Sequence, residues 1–519
     1  MEDRFENWMP PEIEEGRLTR WNWMVQHKEN LKLGRKTDIG AFCYINAKNK
    51  VIIEDGVQIA SHCSIYSTST IDNKDKQVLL KKNCKIGSHT TITPGVTIGE
   101  NSVIGAHSFV NSNIPDNVVA YGIPARVIRK LDSPPTSQES SICPLFKMHS
   151  DSQDIRSITQ ILQRGSFWAD GPEIKEFENK IAEYTGRKYA IAFNSGTSAL
   201  HALMIAYEIN QGEEVIVPSF TFISTANAPL FVGAEPKFAE IEPKTLALDI
   251  NDVKKKITGR TKAIIAVHYA GHPCINIKEL KKLAEEFNLI LIEDAAESLG
   301  AKIENKKVGS FGDSAMFSFC QNKILTTGEG GMIVTDSEKL ARKLRLIVSH
   351  GRVSGDYFAG AETDYIQLGY NWRMPTILAS LGLSQFEKIE KIILIRQQKA
   401  NYYHENLSNI PEVSLIIPPE NFFSVYQMYT ILLKNKEIRD KLKKFLEEKS
   451  ISTRIYFEPI HLTNFYKEKY GFRNGDLPVT ESLSERVLSL PIYPDLTQQQ
   501  QDKIIKEIKL FFENEQSKQ

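Results

Sequence analysis

Between residues 80 and 110 an aliphatic side chain returns at every sixth position, at Leu80, Ile86, Ile92, Ile98, Ile104 and Val110, and Gly stands at 87, 99 and 105. With about a quarter of positions aliphatic, six in register by chance is roughly a one-in-four-thousand event, so the repeat is real. Upstream the same spacing holds at Ile39, Ile45 and Val51, slips by two residues, and resumes at Ile53, Ile59, Ile65 and Ile71. Neither the helical period nor the two-residue period of an isolated strand fits. A six-residue unit predicts a solenoid in which a short strand and a corner recur and each inward aliphatic stacks on its copy in the next coil.

The period stops at Leu131-Asp-Ser-Pro-Pro-Thr-Ser-Gln-Glu-Ser-Ser, whose composition neither packs nor favours a helix. Beyond it, the apolar runs Glu214-Val-Ile-Val-Pro, Ala263-Ile-Ile-Ala-Val and Leu289-Ile-Leu-Ile alternate with helical segments such as Ile277 to Phe287. That alternation predicts an α/β fold with a buried, mostly parallel sheet. From about Ile395 a helical pattern (Glu437 to Lys449) joins the strand-like Ser452-Thr-Arg-Ile-Tyr-Phe in a smaller α+β domain. The expected boundaries are a repeat domain at 1–131, a linker at 132–150, a large domain at 151–394 and a small one at 395–519.

Composition narrows the function. The 519 residues exceed one module at ~150 residues per domain. Lys plus Arg and Asp plus Glu number 64 each, a zero balance that removes the basic field nucleic-acid binding needs. No apolar run reaches the ~18 residues of a membrane span, and the acidic start Met1 to Phe5 is unlike an export leader, so a cytoplasmic protein without a membrane partner is expected. Six cysteines, without a Cys-x-x-Cys pair, indicate neither a disulfide framework nor a metal site; Cys43, Cys63 and Cys84 each follow a repeat aliphatic by four residues and read as core filler.

Chemistry enters the second region at three places. The strand Tyr189-Ala-Ile-Ala-Phe runs into Asn194-Ser-Gly-Thr-Ser and a helix, where Gly196 permits close approach and Thr197 offers a hydroxyl to an anion. The same turn also reads as an ordinary helix cap. Asp294 stands where a buried strand emerges, able to serve a site or to cap the next turn. Lys323 lies in a polar loop between apolar segments and, taken alone, reads as a solvated loop residue sooner than a functional one. Together the three supply what pyridoxal phosphate requires: an anion cradle, an acid for the ring nitrogen and an amine for the aldehyde.

Two resemblances sharpen these readings. Residues 30 to 131, above all Ile86-Gly-Ser-His-Thr-Thr-Ile-Thr-Pro-Gly-Val-Thr-Ile-Gly and Ile114-Pro-Asp-Asn-Val-Val-Ala-Tyr-Gly-Ile-Pro-Ala-Arg-Val-Ile, resemble the hexapeptide-repeat acyltransferases, which wind a left-handed parallel β-helix. The resemblance implies a trimeric acetyltransferase module binding acetyl-CoA near Gly105, Ala106, Pro124 and Arg126. The family's usual catalytic His is missing, because the loop after Ile65-Tyr-Ser reads Ser67-Thr-Ser-Thr-Ile-Asp. His62, His89 and His107 all take the fourth hexapeptide position, near a corner, and His62, nearest that loop, is the preferred base. An amine nucleophile needs a base less than a hydroxyl does, so the missing His points to N-acetylation.

Residues 163 to 496 resemble the DegT/DnrJ/EryC1/StrS nucleotide-sugar aminotransferases of the type I pyridoxal phosphate fold. The resemblance rests on Gly171-Pro-Glu, Phe177-Glu, Ser195-Gly-Thr-Ser-Ala-Leu-His, Pro218-Ser-Phe-Thr-Phe, Glu293-Asp-Ala-Ala-Glu-Ser-Leu-Gly-Ala, Phe317 to Met332, Gly369-Tyr-Asn-Trp-Arg-Met and Leu488-Ser-Leu-Pro. It implies that Lys323 bonds the aldehyde and carries the substrate proton, and that Asp294 holds the ring nitrogen protonated. By the same resemblance Gly196, Thr197 and Ser318 bind the phosphate, joined by Asn371 of the partner subunit, and Phe222 stacks on the ring, although a core aromatic fits Phe222 as well. Glu297, three residues after the Asp, leans towards amination at sugar C4 rather than C3. His350, Arg352, Arg373, Tyr456 and His461 lie in segments that line the family's site, so that each is a substrate contact or a packing residue.

The pairing of the two units implies a nucleotide-linked keto-deoxy sugar aminated by glutamate and then acetylated, with dimerising aminotransferase and trimerising β-helix units combining as a hexamer. The alternative keeps the aminotransferase and makes the β-helix a non-catalytic oligomerisation or sugar-holding scaffold.

Overall fold

The computed structural model describes residues 8–130, 143–353 and 364–516. The chain divides into two compact units, Met1–Ser140 and Ser141–Gln519.

In the first unit every sixth residue turns inward because the chain bends between short strands, laying three parallel sheets around one apolar interior. Val25, Ile45, Ile65, Ile92 and Val110 are paired in register on one face. Leu33, Ile53, Leu80 and Ile98 form the second, and Ile39, Ile59, Ile86, Ile104 and Ala120 the third. Each rung is one coil from the next, and each coil covers the apolar edge of its neighbour, the arrangement that makes a β-helix stable. Cys43, Cys63 and Cys84 are buried in this core. An antiparallel hairpin, Val118–Gly122 with Ala125–Lys130, ends the stack.

Two irregularities of the period have structural causes. The two-residue slip lies in the corner between Ile45 and Ile53, so that Ile53 is the true rung, while Val51 is buried at the start of the same strand. Ile71, in phase by sequence, is no rung: it is 96% exposed, because the chain leaves the coil after Ile65 and returns through a small hairpin, Thr68–Ser69 against Lys74–Asp75. The next rung on that face is Ile92.

The second unit is built on a seven-stranded sheet whose order is Tyr189–Phe193, Gly331–Thr335, Ser314–Ser318, Ile290–Asp294, Thr261–Val267, Glu214–Pro218 and Glu235–Ala239. Only Gly331–Thr335 runs antiparallel to its neighbours. Apart from the edge strand Glu235–Ala239, which carries Glu and Lys, the other strands are mostly apolar, as burial on both faces requires. A smaller antiparallel sheet of Val413–Leu415, Tyr429–Leu433 and Val487–Leu490 packs with helices Lys436–Glu448 and Gln498–Gln516.

Three local expectations change. Ser452 to Phe457 is not a strand; among the described residues its backbone pairs with the small sheet at one bridge, between Arg454 and Ser489, while Ile455, Tyr456 and Phe457 pack in a cluster with Leu432 and Val487. The boundary at 395 falls inside one continuous helix, Ile389–Leu407, whose Ile392 and Ile393 serve one apolar core and whose Ala400, Tyr403 and Leu407 serve the next. Of the expected linker, 132–142 lies outside the described residues, whereas Cys143 pairs with Ile451, and Ile492 donates its amide to Leu145 O at 3.3 Å, which makes this stretch part of the second unit.

Ile92→Ala should therefore destabilise the β-helix by about 2–5 kcal/mol, as for a buried Ile elsewhere. Amide exchange should quicken in Lys85–Ile86, Thr91–Ile92 and Phe109–Val110, the strands in or beside its coil. Ile71→Ala should change stability by less than about 0.5 kcal/mol.

Candidate active site

Five strands of the large sheet deliver the expected site residues and one further His at or just beyond their carboxyl ends, where parallel sheets open to ligands. Asp294 is the last residue of Ile290–Asp294 and Ser318 the last of Ser314–Ser318. Gly196 opens the helix that follows Tyr189–Phe193, and Phe222 caps the helix Ile223–Leu230 beyond Glu214–Pro218. His268 follows Thr261–Val267 and binds its amide to Asp294 O at 3.0 Å.

Asp294 is buried, and burial raises its pKa above the ordinary carboxylate value against the opposing pull of Thr225, the Ala296 amide and Lys323. Thr225 donates its hydroxyl to Oδ2 at 2.6 Å and Ala296 its amide to Oδ1 at 3.2 Å. An ionised carboxylate has about four acceptor positions, so capacity remains for a further donor. Glu293, one residue earlier and on the opposite face of the strand, is treated differently. Burial alone would raise its pKa, yet it is lowered overall by His268 and by backbone amides. Gly309, Phe311 and Gly312 donate amides to it at 2.7–2.8 Å, and His268 Nε2 lies 3.0 Å away. The Cys274 amide donates to His268 Nδ1, which fixes the neutral tautomer with its proton on Nε2.

Lys323 Nζ donates to Glu297 Oε1 at 3.4 Å, and Glu297 Oε2 accepts from the Ala270 amide at 2.9 Å. The amine and its partner are both mostly enclosed, with side chains 13% and 11% exposed. The solvated-loop reading of Lys323 therefore does not hold. Nor does the core reading of Phe222, which is 60% exposed.

At the head of the helix Gly196–Ala206 the chain passes close to Ser318: a Cβ on Gly196 would stand 3.3 Å from Ser318 Cβ and 3.0 Å from Met316 Sδ. Thr197 Oγ1 and Ser224 Oγ are 2.7 Å apart. Free helix-terminal amides with three hydroxyls around them suit a phosphate dianion. This cradle, the spare acceptor capacity of Asp294 and the enclosed Lys323 amine fit pyridoxal phosphate. Thr221, Ser224, Thr225 and His268 were not anticipated, although they stand just beyond recognised strands; the Thr221 and Thr225 hydroxyls meet at 3.2 Å.

The remaining expected contacts divide. Arg352 and Arg373 both donate to Ser349 Oγ, at 3.4 and 3.1 Å, with Asp170 3.9 Å from Arg352. Burial, then the charge of Arg352, lowers the pKa of Arg373. Asn371 is exposed and bridges to Ser349, and His350, also exposed, donates its amide to Tyr370 O. Tyr456 is half-buried near Glu297, and burial raises its phenol pKa. His461 is a correction: it is fully buried, its Nδ1 2.7 Å from Ser219 Oγ and its Nε2 3.1 Å from Glu481, so both nitrogens are engaged within the protein and it cannot touch a substrate.

In the first unit, Gly105 donates its amide to Ala120 O and lies under Tyr121, which is paired with Arg126; this gathers Gly105, Ala106, Pro124 and Arg126 at one end of the stack. His62, His89 and His107 form a ladder of exposed imidazoles with successive centroids 4.6 Å apart and planes within 10°. Phe42 extends it beyond His62 at 5.1 Å. All four have positive φ, 56–63°, because they turn the same corner in successive coils. Among the described residues no group of His, Cys, Asp and Glu is arranged to hold a metal, and no helix is long and apolar enough to cross a membrane.

Comparison with known proteins agrees with this geometry. Residues 78–112 match the bacterial transferase hexapeptide repeat, and residues 149–509 match the DegT/DnrJ/EryC1/StrS aminotransferase family. GDP-perosamine synthase of Escherichia coli O157:H7 is 35% identical over 370 residues, covering 71% of this chain and 98% of the relative. The Caulobacter vibrioides protein of the same name is 38% identical over 343 residues, covering 64% and 89%. The structure of Helicobacter pylori PseC, an aminotransferase involved in the biosynthesis of pseudoaminic acid, superposes with a TM-score of 0.68 at 29% identity, covering 72% of this chain and all of that one. The chain joins a hexapeptide-repeat β-helix to a pyridoxal phosphate-dependent aminotransferase unit, and it belongs to the DegT/DnrJ/EryC1/StrS aminotransferase family.

Proposed function

We propose that the second unit transfers an amino group from glutamate to the C4 ketone of a nucleoside-diphosphate-linked keto-deoxy sugar, and that the first then N-acetylates the product with acetyl-CoA. The observation that carries the first half is the convergence of the Lys323–Glu297 pair, the buried Asp294 and the Gly196 cradle at the strand ends. Pyridoxal phosphate, when bound, supplies an electron sink for the carbon that loses its proton. Lys323 Nζ takes that proton and returns it, with Glu297 holding the amine in place. Asp294 would accept from the ring nitrogen of the cofactor. Gly196, Thr197 and Ser318 would hold its phosphate, completed by Asn371 of the partner subunit, and Phe222 would lie against the ring. Arg352, Arg373, His350 and Tyr456 are proposed to meet the sugar nucleotide. Glu297 favours C4, and relatives named for a GDP-linked product favour GDP.

The second half is supported by the hexapeptide match and by the gathering of Gly105, Ala106, Pro124 and Arg126. His62 is the proposed base for a nucleophile that is already reactive as a neutral amine. A scaffold role for the β-helix is the competing reading, favoured by the hairpin Thr68–Ser69/Lys74–Asp75, which has no His where the related acetyltransferases have theirs. Contacts of both kinds, dimeric and trimeric, would close as a hexamer.

Borohydride should fix the cofactor to Lys323, located by peptide mass, and Lys323→Ala should lose the label together with about 10²- to 10⁴-fold or more of transamination, the span of a proton-transfer group. For Asp294 the pH sign follows from its raised pKa. The folded chain favours the protonated acid, so this contribution to stability is present at low pH and is lost as pH climbs from the ordinary carboxylate range through the raised value. Asp294→Asn apoenzyme should therefore melt higher than wild type at neutral pH yet bind pyridoxal phosphate about tenfold to a hundredfold more weakly, having lost a charged hydrogen bond. Acetylation forms an amide and frees coenzyme A thiol; thiol release that depends on an amino sugar nucleotide and falls in His62→Ala supports the two-step reading, and if no amino sugar tested elicits thiol release, the scaffold reading wins.

A further inference from the structure

Besides the turn bond from its own amide to Cys320 O at 3.0 Å, Lys323 is held at two points, and both lead to the same stretch of chain. On the side-chain path, Nζ donates to Glu297 Oε1 and Glu297 Oε2 accepts from the Ala270 amide. Ala270 O in turn accepts from the Met428 amide at 3.2 Å. On the main-chain path, Asn322 O, in the peptide bond leading to Lys323, accepts from Gln427 Nε2. Gln427 and Met428 are neighbours, so the two paths close into one ring.

The segment that closes the ring is itself anchored. Val425 donates its amide to Gly271 O at 3.0 Å. Gly271 has φ +92°, and a Cβ there would come within 2.6 Å of Gln427 N, so only glycine allows this approach. Arg396, almost fully buried, donates from one terminal nitrogen to Tyr426 O, Gln427 O and Ile492 O at 3.1–3.4 Å. The Gln427 side chain is 5% exposed, and its Oε1 has no partner among the described residues. A buried amide oxygen left unpaired is costly. The other end of the amide makes the contact to Asn322, and Gln427, Asn322 and Tyr456 border the same small cavity.

We propose that Gln427 is a positioning residue for Lys323, clipping the main chain at Asn322 so that Nζ stays beside Glu297. The inference rests on the reading of Lys323 as the cofactor-bonding amine. Glu297 fixes the far end of the lysine and Gln427 the near end. Neither is sufficient alone, because the lysine side chain has four rotatable bonds through which its amine could leave a Cα that was free to move. Misplacing a reacting group by about 1 Å can cost about 10²-fold.

The test uses the full chain with Gln427→Met, which keeps the length and removes the donor, and Gln427→Glu, whose carboxyl can donate to Asn322 O only when protonated. Expected for Gln427→Met are faster amide exchange at residues 320–324 in apoenzyme and holoenzyme alike, weaker pyridoxal phosphate binding, and a kcat lower by about tenfold or more with the KM for glutamate little changed. Gln427→Glu should regain activity relative to wild type as pH falls. Exchange, cofactor affinity and kcat all close to wild type in Gln427→Met would overturn the proposal. So would a Gln427→Glu defect that does not vary with pH, which also decides the matter if Gln427→Met fails to fold. If borohydride leaves wild-type Lys323 unlabelled, the reading of the site falls instead, and the exchange measurement still reports on the clip.

Discussion

The second unit depends on how its sheet manages two adjacent acids at the end of one buried strand. Alternation sends Glu293 and Asp294 to opposite faces. Glu293 accepts from three amides and an imidazole N–H, with the Arg187 guanidinium 3.9 Å away, so its charge is stabilised where it lies. Asp294 receives one hydroxyl and one amide, and its burial is left uncompensated. An incompletely solvated charge gains from any cationic donor that enters. The same pair of residue types thus gives one anchor that ties the loop 309–312 to the sheet and one acid that waits for a ligand.

The first unit solves a different problem with a simpler rule. Its strands are too short to be stable alone, two or three residues for most of them, and are held by the coils above and below. What has to be conserved from coil to coil is the inward rung and the left-handed turn at the corner. The side chain carried at that corner can vary, which is why a phenylalanine and three histidines occupy equivalent corners without disturbing the stack.

Features governed by near neighbours in sequence were legible: the six-residue period, the alternating strands and helices, and a Gly, an Asp and a Lys at strand ends. Features governed by distant partners were not. His461 is buried because Ser219, more than two hundred residues away, supplies an acceptor and a donor for it. The segment Ser452 to Phe457 has strand-like residues but only one bridging partner, whereas Tyr429–Leu433, not anticipated, gains two neighbours. Ile71 matched the period and still fell outside the core, since periodicity cannot distinguish a rung from an apolar residue in an inserted loop. Gln427 carried no signal at all; its importance arises from which carbonyl it meets.

The insertion after Ile65 has a wider consequence. Although Ile45 and Ile65 are twenty residues apart, Ile65 and Ile92 twenty-seven, and Ile92 and Val110 eighteen, all four stand in one unbroken column. Spacing along the backbone is therefore decoupled from spacing along the axis wherever the path bulges outward at a bend. Such bends are natural graft points, where an evolving gene can lengthen or replace an external loop while the scaffold beneath it keeps its alignment.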